Sequence, residues 1–283
     1  FGDGVGRIAA GGFHSVLLSP PRLGNLPVFR AARTAKLVYH KSRKYDILEK
    51  TKNRETAMRF DTVLIDIDDT LFDFRKSSYQ ALVKAFSEIG FSFGEQEMRE
   101  YEVFNNQMWK SFELGEIEKE FIYAERFRRY FASIGLNADP VEINRRYLLE
   151  LAEGRNFMPH CRELLQALHG KYLVVVVTNG DTYAQERRIE ISGMAQYFDH
   201  VFISEQLGTK KPEKDFYDKV FQVIGPARRE HAIMVGDSLS SDMQGGRNAG
   251  IPTCFYGKKE NADERCDYVI EDLLNLLPIL END

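Results

Sequence analysis

The apolar positions of this chain fall into short, dense runs that stop at polar clusters. The first, Val63-Leu64-Ile65, ends in Asp66-Ile67-Asp68-Asp69-Thr70-Leu71. Similar runs recur at Tyr172–Val177, His200–Ile203, Ala232–Val235, Thr253–Phe255 and Tyr268–Ile270. Runs without alternation mark strands buried on both faces, as in parallel sheets. Between them the period changes to helical: His160–His169 and Thr182–Ser192, then a helix from Lys211 through Val223 with Pro212 early. Met243–Ala249 follows, closing at Gly250, and Leu273–Leu280 ends the series. This alternation predicts an α/β fold, a Rossmann-like parallel sheet covered by helices on both faces.

One stretch breaks the alternation. After Leu71 strand patterns cease, and amphipathic helices are predicted at Arg75–Ile89, Gln96–Phe112, Ile117–Ile134 and Val141–Leu151. Gly90, Gly94, Gly115 and Gly135 separate them, and Asp139-Pro140 is a helix-start signal. The reading is an inserted all-helical cap domain over 75–154, within a core made of 58–74 and 155–283.

Residues 1–57 differ in character. They hold 11 Lys/Arg against 4 Asp/Glu, while the whole chain carries a formal charge of −5. They are Gly- and Pro-containing, show little period beyond a short helix around Ala31 to Leu48, and lack the basic-then-apolar order of a secretory signal. Three readings stand: an extension upstream of a natural start at Met58, a basic tail for an acidic partner, or a transit peptide.

The polar clusters at the strand ends carry the chemistry. In a parallel sheet the loops beyond the strand carboxyl ends share one edge, where open α/β sheets bind ligands. Asp66 and Asp68 after the first strand, Thr178 after the second, Lys211 after the third and Asp237 with Asp242 after the fourth can therefore converge. Clustered carboxylates repel unless a cation compensates, and Mg²⁺ favours a few carboxylates completed by substrate phosphate. The set suits phosphoryl transfer. Asp66 serves as nucleophile and Asp68 as proton donor and acceptor. Thr178 supplies a hydroxyl to a phosphate cradle, and Lys211 a fixed positive charge.

Asp66-Ile67-Asp68-Asp69-Thr70-Leu71, Thr178-Asn179-Gly180, Lys211-Pro212 and Gly236-Asp237-Ser238-Leu239-Ser240-Ser241-Asp242 together resemble the motif set of the haloacid dehalogenase-like hydrolase superfamily. The resemblance covers residues 60–280. It implies Asp66 as nucleophile, Asp68 as acid/base with its main-chain carbonyl on the metal, and Asp237 as a Mg²⁺ ligand. It implies Asp242 as the second acidic position supporting that metal, and Thr178, Asn179 and Lys211 as phosphate-binding residues. Lys210 competes for the motif lysine; Lys211 is favoured because it directly precedes proline. True dehalogenases of the superfamily lack the acid/base aspartate and need no metal, so Asp68 implies a phosphatase.

Cap residues Asn105-Asn106-Gln107-Met108-Trp109-Lys110, with Gly245-Gly246-Arg247-Asn248-Ala249-Gly250, resemble the 5′-nucleotidases of pyrimidine and noncanonical nucleotides. This implies a nucleoside 5′-monophosphate as substrate, with phosphosugars or other small phosphorylated metabolites as the alternative. A catalytically idle binding protein on the same fold is the reading from another class. Asn106 and Trp109 are the candidate specificity residues, Trp109 by stacking on a base or by packing between cap helices. Cys161, Cys254 and Cys266 show no paired spacing, and the histidines no metal-ligand spacing. The expected partner is a small-molecule phosphomonoester, with no nucleic acid polymer and no membrane, and the expected location is cytoplasmic. Oligomeric state is not legible.

Overall fold

A computed structural model describes residues 59–281. The sheet has six strands, all parallel: β1 (Thr62–Ile65), β2 (Leu173–Thr178), β3 (His200–Ile203), β4 (Ala232–Gly236), β5 (Thr253–Tyr256) and β6 (Tyr268–Ile270). Their order is β3-β2-β1-β4-β5-β6. Order reverses between β1 and β4, which opens a crevice at that point. Ile65 lies level with Val176 on one side and Val235 on the other, so the two flanking strands end beside the first carboxylates.

Alternate side chains leave a strand on opposite faces, and here both are apolar. Val63, Ile65, Val174, Val176, Ile233 and Val235 pack with Leu164, Leu165, Leu168 and Leu276 on one face. Leu64, Val175, Val177 and Met234 pack with Phe216, Tyr217, Val220 and Phe221 on the other. The α/β sheet covered on both sides is therefore as expected.

Between β1 and β2 four helices carry a core of their own: α1 (Phe74–Ser87), α2 (Glu95–Glu113), α3 (Lys119–Ile134) and α4 (Pro140–Ala152). Phe86, Tyr101, Phe127, Tyr130 and Tyr147 dominate it, stacked or edge-on to one another. Pro140 opens α4 behind the cap residue Asp139, whose side chain accepts from Val141 N–H. Gly135 closes α3 in the left-handed region, φ 68°, a conformation glycine adopts without penalty.

The core helices are α5 (Cys161–Leu168), α6 (Thr182–Ser192), α7 (Ser204–Leu207), α8 (Lys214–Ile224), α9 (Gln244–Ala249) and α10 (Leu276–Glu281). Among these core helices one expected start shifts by more than a residue. The helix read from Lys211 begins at Lys214, because both backbone groups of Lys211 bond to Asn179. The helix read from Met243 is continuous with a wider, π-type turn over Leu239–Met243, and Met243 itself has helical dihedrals. The last helix is split, with a tight turn at Leu273–Asn275 before α10. The extension 1–57, Met58 and the helix around Ala31 to Leu48 lie outside the described residues. No helix among those described is long and apolar enough to cross a membrane.

Candidate active site

The carboxyl ends of β1, β2 and β4 and the loop after β3 meet at one cavity of about 290 Å³, roofed by the cap helices. Asp66 follows β1 directly, and its N–H still donates to Val235 O at 2.9 Å. The residue is 7% exposed, and its carboxylate lies with those of Asp237 and Asp242, with ligand oxygens within 4.8 Å of one another. Gly236 makes this possible. A Cβ there would sit 2.2 Å from Asp242 Oδ2, so only glycine lets Asp242 fold back against the end of β4.

Lys211 is 2% exposed and reaches into the cluster from the β3 side. Its Nζ donates to Asp66 Oδ1 at 2.5 Å, Asp242 Oδ1 at 2.7 Å and Val177 O at 2.9 Å. Burial would lower an ammonium, but Asp242 and Asp66 outweigh it and hold Lys211 well above its ordinary value. Lys210 instead lies over the Phe112 ring and pairs with Glu213. One ammonium cannot balance three clustered carboxylates, two of them buried. Asp66 is pushed up to about 8 by burial, which Lys211 opposes and Asp242 and Asp68 reinforce. Asp237 is raised well above its usual range by burial and by Asp66 and Asp242. Three clustered oxygens with a charge deficit form a hard donor set that fits a divalent cation.

Asp68 stands apart from that set. Its Oδ1 accepts from Arg188 Nη1 at 2.5 Å and its Oδ2 from Gln185 Nε2 at 2.6 Å. The Asp68 carboxylate is thus turned toward α6 and away from the Asp66, Asp237 and Asp242 cluster, which leaves its main-chain carbonyl for the metal role expected of it. Thr178 Oγ1 accepts from Gly180 N–H at 3.0 Å and from Gln185 Nε2 at 3.1 Å, which leaves its O–H free to donate into the cavity. Asn179 lines the same cavity. Its amide bonds both N–H and C=O of Lys211, at 3.0 and 2.9 Å, and so fixes the lysine. Asp237 Oδ1 accepts from Thr70 Oγ1 at 3.2 Å, tying the first and fourth loops.

Gln185 and Arg188 escaped the sequence reading. They lie three residues apart on α6, on the face toward Asp68, and directly follow the Thr178 loop. That i, i+3 pairing after a motif loop was the available signal. Gly180 leaves the room: a Cβ there would meet Gln185 Nε2 at 2.1 Å.

In the cap wall, Asn106 and half-buried Trp109 both line the cavity, with Asn105, Arg126, Tyr147, Leu148 and Leu151. Trp109 also meets Phe112 edge-on, ring centroids 5.8 Å apart, the packing contact of its two expected roles. Asn106 is exposed beside buried Asn105. Cap and core are tied by Lys119, which donates to Gly180 O at 2.7 Å and pairs with Glu205 at 2.9 Å.

The haloacid dehalogenase-like hydrolase family model matches residues 60–250. Pyrimidine 5′-nucleotidase PynA of Streptococcus pneumoniae is 38% identical over 200 residues, covering 70% of this chain and 84% of that protein. Pyrimidine 5′-nucleotidase YjjG of Escherichia coli is 32% identical over 198 residues, covering 70% and 86%. A magnesium-bound crystal structure of HAD-hydrolase YfnB from Bacillus subtilis superposes with a TM-score of 0.74 at 30% identity, covering 78% of this chain and 99% of that one. With the four strand-end loops gathered on one carboxylate cluster and more than half of its length matched, the chain belongs to the haloacid dehalogenase-like hydrolases.

Proposed function

We propose that the chain is a Mg²⁺-dependent phosphatase of nucleoside 5′-monophosphates, with pyrimidine nucleotides preferred. The observation that carries this is the division of labour among the aspartates. Asp66 lies in a carboxylate triad that calls for a cation, while Asp68 is held aside by Arg188 and Gln185. Similarity to PynA and YjjG supports the nucleotide, and the magnesium in YfnB supports the metal.

Asp66, Asp237 and Asp242, with the Asp68 carbonyl, would hold the metal. When bound, it neutralises the repulsion between the carboxylates and an incoming phosphoryl group. An Asp66 oxygen attacks phosphorus, the bond to the leaving oxygen breaks, and Asp68 gives that oxygen its proton. In the second displacement Asp68 takes a proton from water. The water oxygen attacks phosphorus, the Asp66–phosphorus bond breaks, and orthophosphate leaves with both aspartates regenerated. The Thr178 hydroxyl and the Lys211 ammonium stabilise the charge on the phosphoryl oxygens. Residues 75–154 act as the cap that excludes water and contacts the leaving nucleoside.

The test is a metal-supplemented screen of nucleoside monophosphates and phosphosugars. Faster hydrolysis of uridine or thymidine 5′-monophosphate than of any phosphosugar is expected, lost on chelation. A phosphosugar preference overturns the nucleotide reading, and haloacid turnover without metal overturns the phosphatase reading.

A further inference from the structure

Four cationic side chains are buried among the described residues: Lys119, Arg126, Arg188 and Lys211. Lys119 has Glu205, Arg188 has Asp68, and Lys211 has Asp66 and Asp242. Arg126 on α3, 2% exposed, has only neutral partners. Its Nη1 donates to Asn105 Oδ1 at 3.0 Å and its Nη2 to Asn144 Oδ1 at 2.8 Å. Its guanidinium lies over the Tyr147 ring at 4.9 Å and the Phe127 ring at 5.1 Å, and its Nε has no partner. A guanidinium offers five donors, and two are used. Burying a cation without an anion is costly, and so is leaving its donors unmet. The cost is offset if a ligand supplies acceptors.

Arg126 lines the same cavity as Asp66, Asp68 and Lys211, on the cap wall. Around it the wall is flat, apolar or amide-bearing: Trp109, Tyr147, Leu148, Leu151 and Asn105. Such a wall accommodates a planar neutral ring, and a single guanidinium within it reads acceptor atoms on that ring's edge. We propose that Arg126 is a specificity-determining residue that donates to the carbonyl oxygens of a pyrimidine base in the leaving nucleoside; this rests on the nucleotidase reading. Asn105 and Asn144 are its positioning residues. They hold the fork in place without neutralising it, as a carboxylate would.

The experiment compares the enzyme with Arg126→Gln and Asn144→Asp on uridine 5′-monophosphate, ribose 5-phosphate, phosphoglycolate and p-nitrophenyl phosphate, resolving kcat from KM. Asn144→Asp places a carboxylate beside the guanidinium and decides the question even if Arg126→Gln fails to fold. In both variants the ratio of kcat/KM for uridine 5′-monophosphate over ribose 5-phosphate should fall by about 10- to 100-fold, mainly through KM. A uniform loss on all substrates, or an unchanged ratio, overturns the proposal. A loss confined to phosphoglycolate also overturns it and makes Arg126 a carboxylate reader. A wild-type enzyme idle on uridine 5′-monophosphate but active on p-nitrophenyl phosphate overturns the nucleotide reading along with it.

Discussion

Lys211→Met tests the electrostatic logic of the site more sharply than any other single change. The lysine is 2% exposed and bonds Asp66 and Asp242 at 2.5 and 2.7 Å. Methionine fills a similar volume, so the loss is of charge. Removing one partner of a buried ion pair costs about 3–5 kcal/mol, or roughly 6–20 °C in melting temperature for a folded unit of this size. The cost depends on pH in a definite direction. Asp66 is raised to about 8, chiefly by burial, and Asp237 is raised as well. A carboxylate with a raised folded-state pKa stabilises at low pH, and that stability is lost as pH rises from about 4 through about 8. In chelator, the variant should therefore lose less at pH 5, where Asp66 and Asp237 hold protons, than at pH 8. A divalent cation supplies the missing charge, and at a hundredfold its Kd restores about 2.7 kcal/mol. Melting followed by circular dichroism at both pH values, with chelator or with Mg²⁺, reads all of these. Wild-type stability of the variant in chelator at pH 8, or a larger penalty at pH 5, would refute the reasoning.

Gly236→Ala pushes Asp242 out of the cluster, since a Cβ would lie 2.2 Å from its Oδ2; the Mg²⁺ concentration for half-maximal activity should rise about 10- to 100-fold, and an unchanged activation curve would contradict the assignment. Arg188→Gln leaves Asp68 with Gln185 alone; steady-state kinetics should show kcat falling about 10²-fold with KM little moved, and a change in KM alone would argue against the acid/base role. Trp109 is the only tryptophan and lines the cavity; its fluorescence in Asp66→Asn should titrate on adding uridine 5′-monophosphate, and not on adding inorganic phosphate.

What could be read from the sequence was what local pattern dictates. Val63–Ile65 and Val174–Val177 announce strands because they are apolar without alternation. Asp66, Thr178, Lys211 and Asp237 announce a site because each lies at or just beyond the end of a strand or in the segment that follows one. The helix start at Lys211 differs because a tertiary contact intervenes: the Asn179 amide holds Lys211 out of any helix. Arg188 and Arg126 were illegible for the same reason. An arginine on an amphipathic helix reads as solvated, and only the packing brings Arg188 to Asp68, 120 residues away. Nor could spacing show that Arg126, alone among the described buried cations, meets amides where the others meet carboxylates.

The central claim is that Asp66 carries the phosphoryl group. Mixing the enzyme with radiophosphorus-labelled uridine 5′-monophosphate in Mg²⁺, quenching in acid within the first turnover and mapping the label by peptide mass spectrometry tests it directly. The account predicts label on the peptide bearing Asp66, absent in chelator and in Asp66→Asn. Orthophosphate released at full rate with no label on the protein, or with label on another residue, would contradict it.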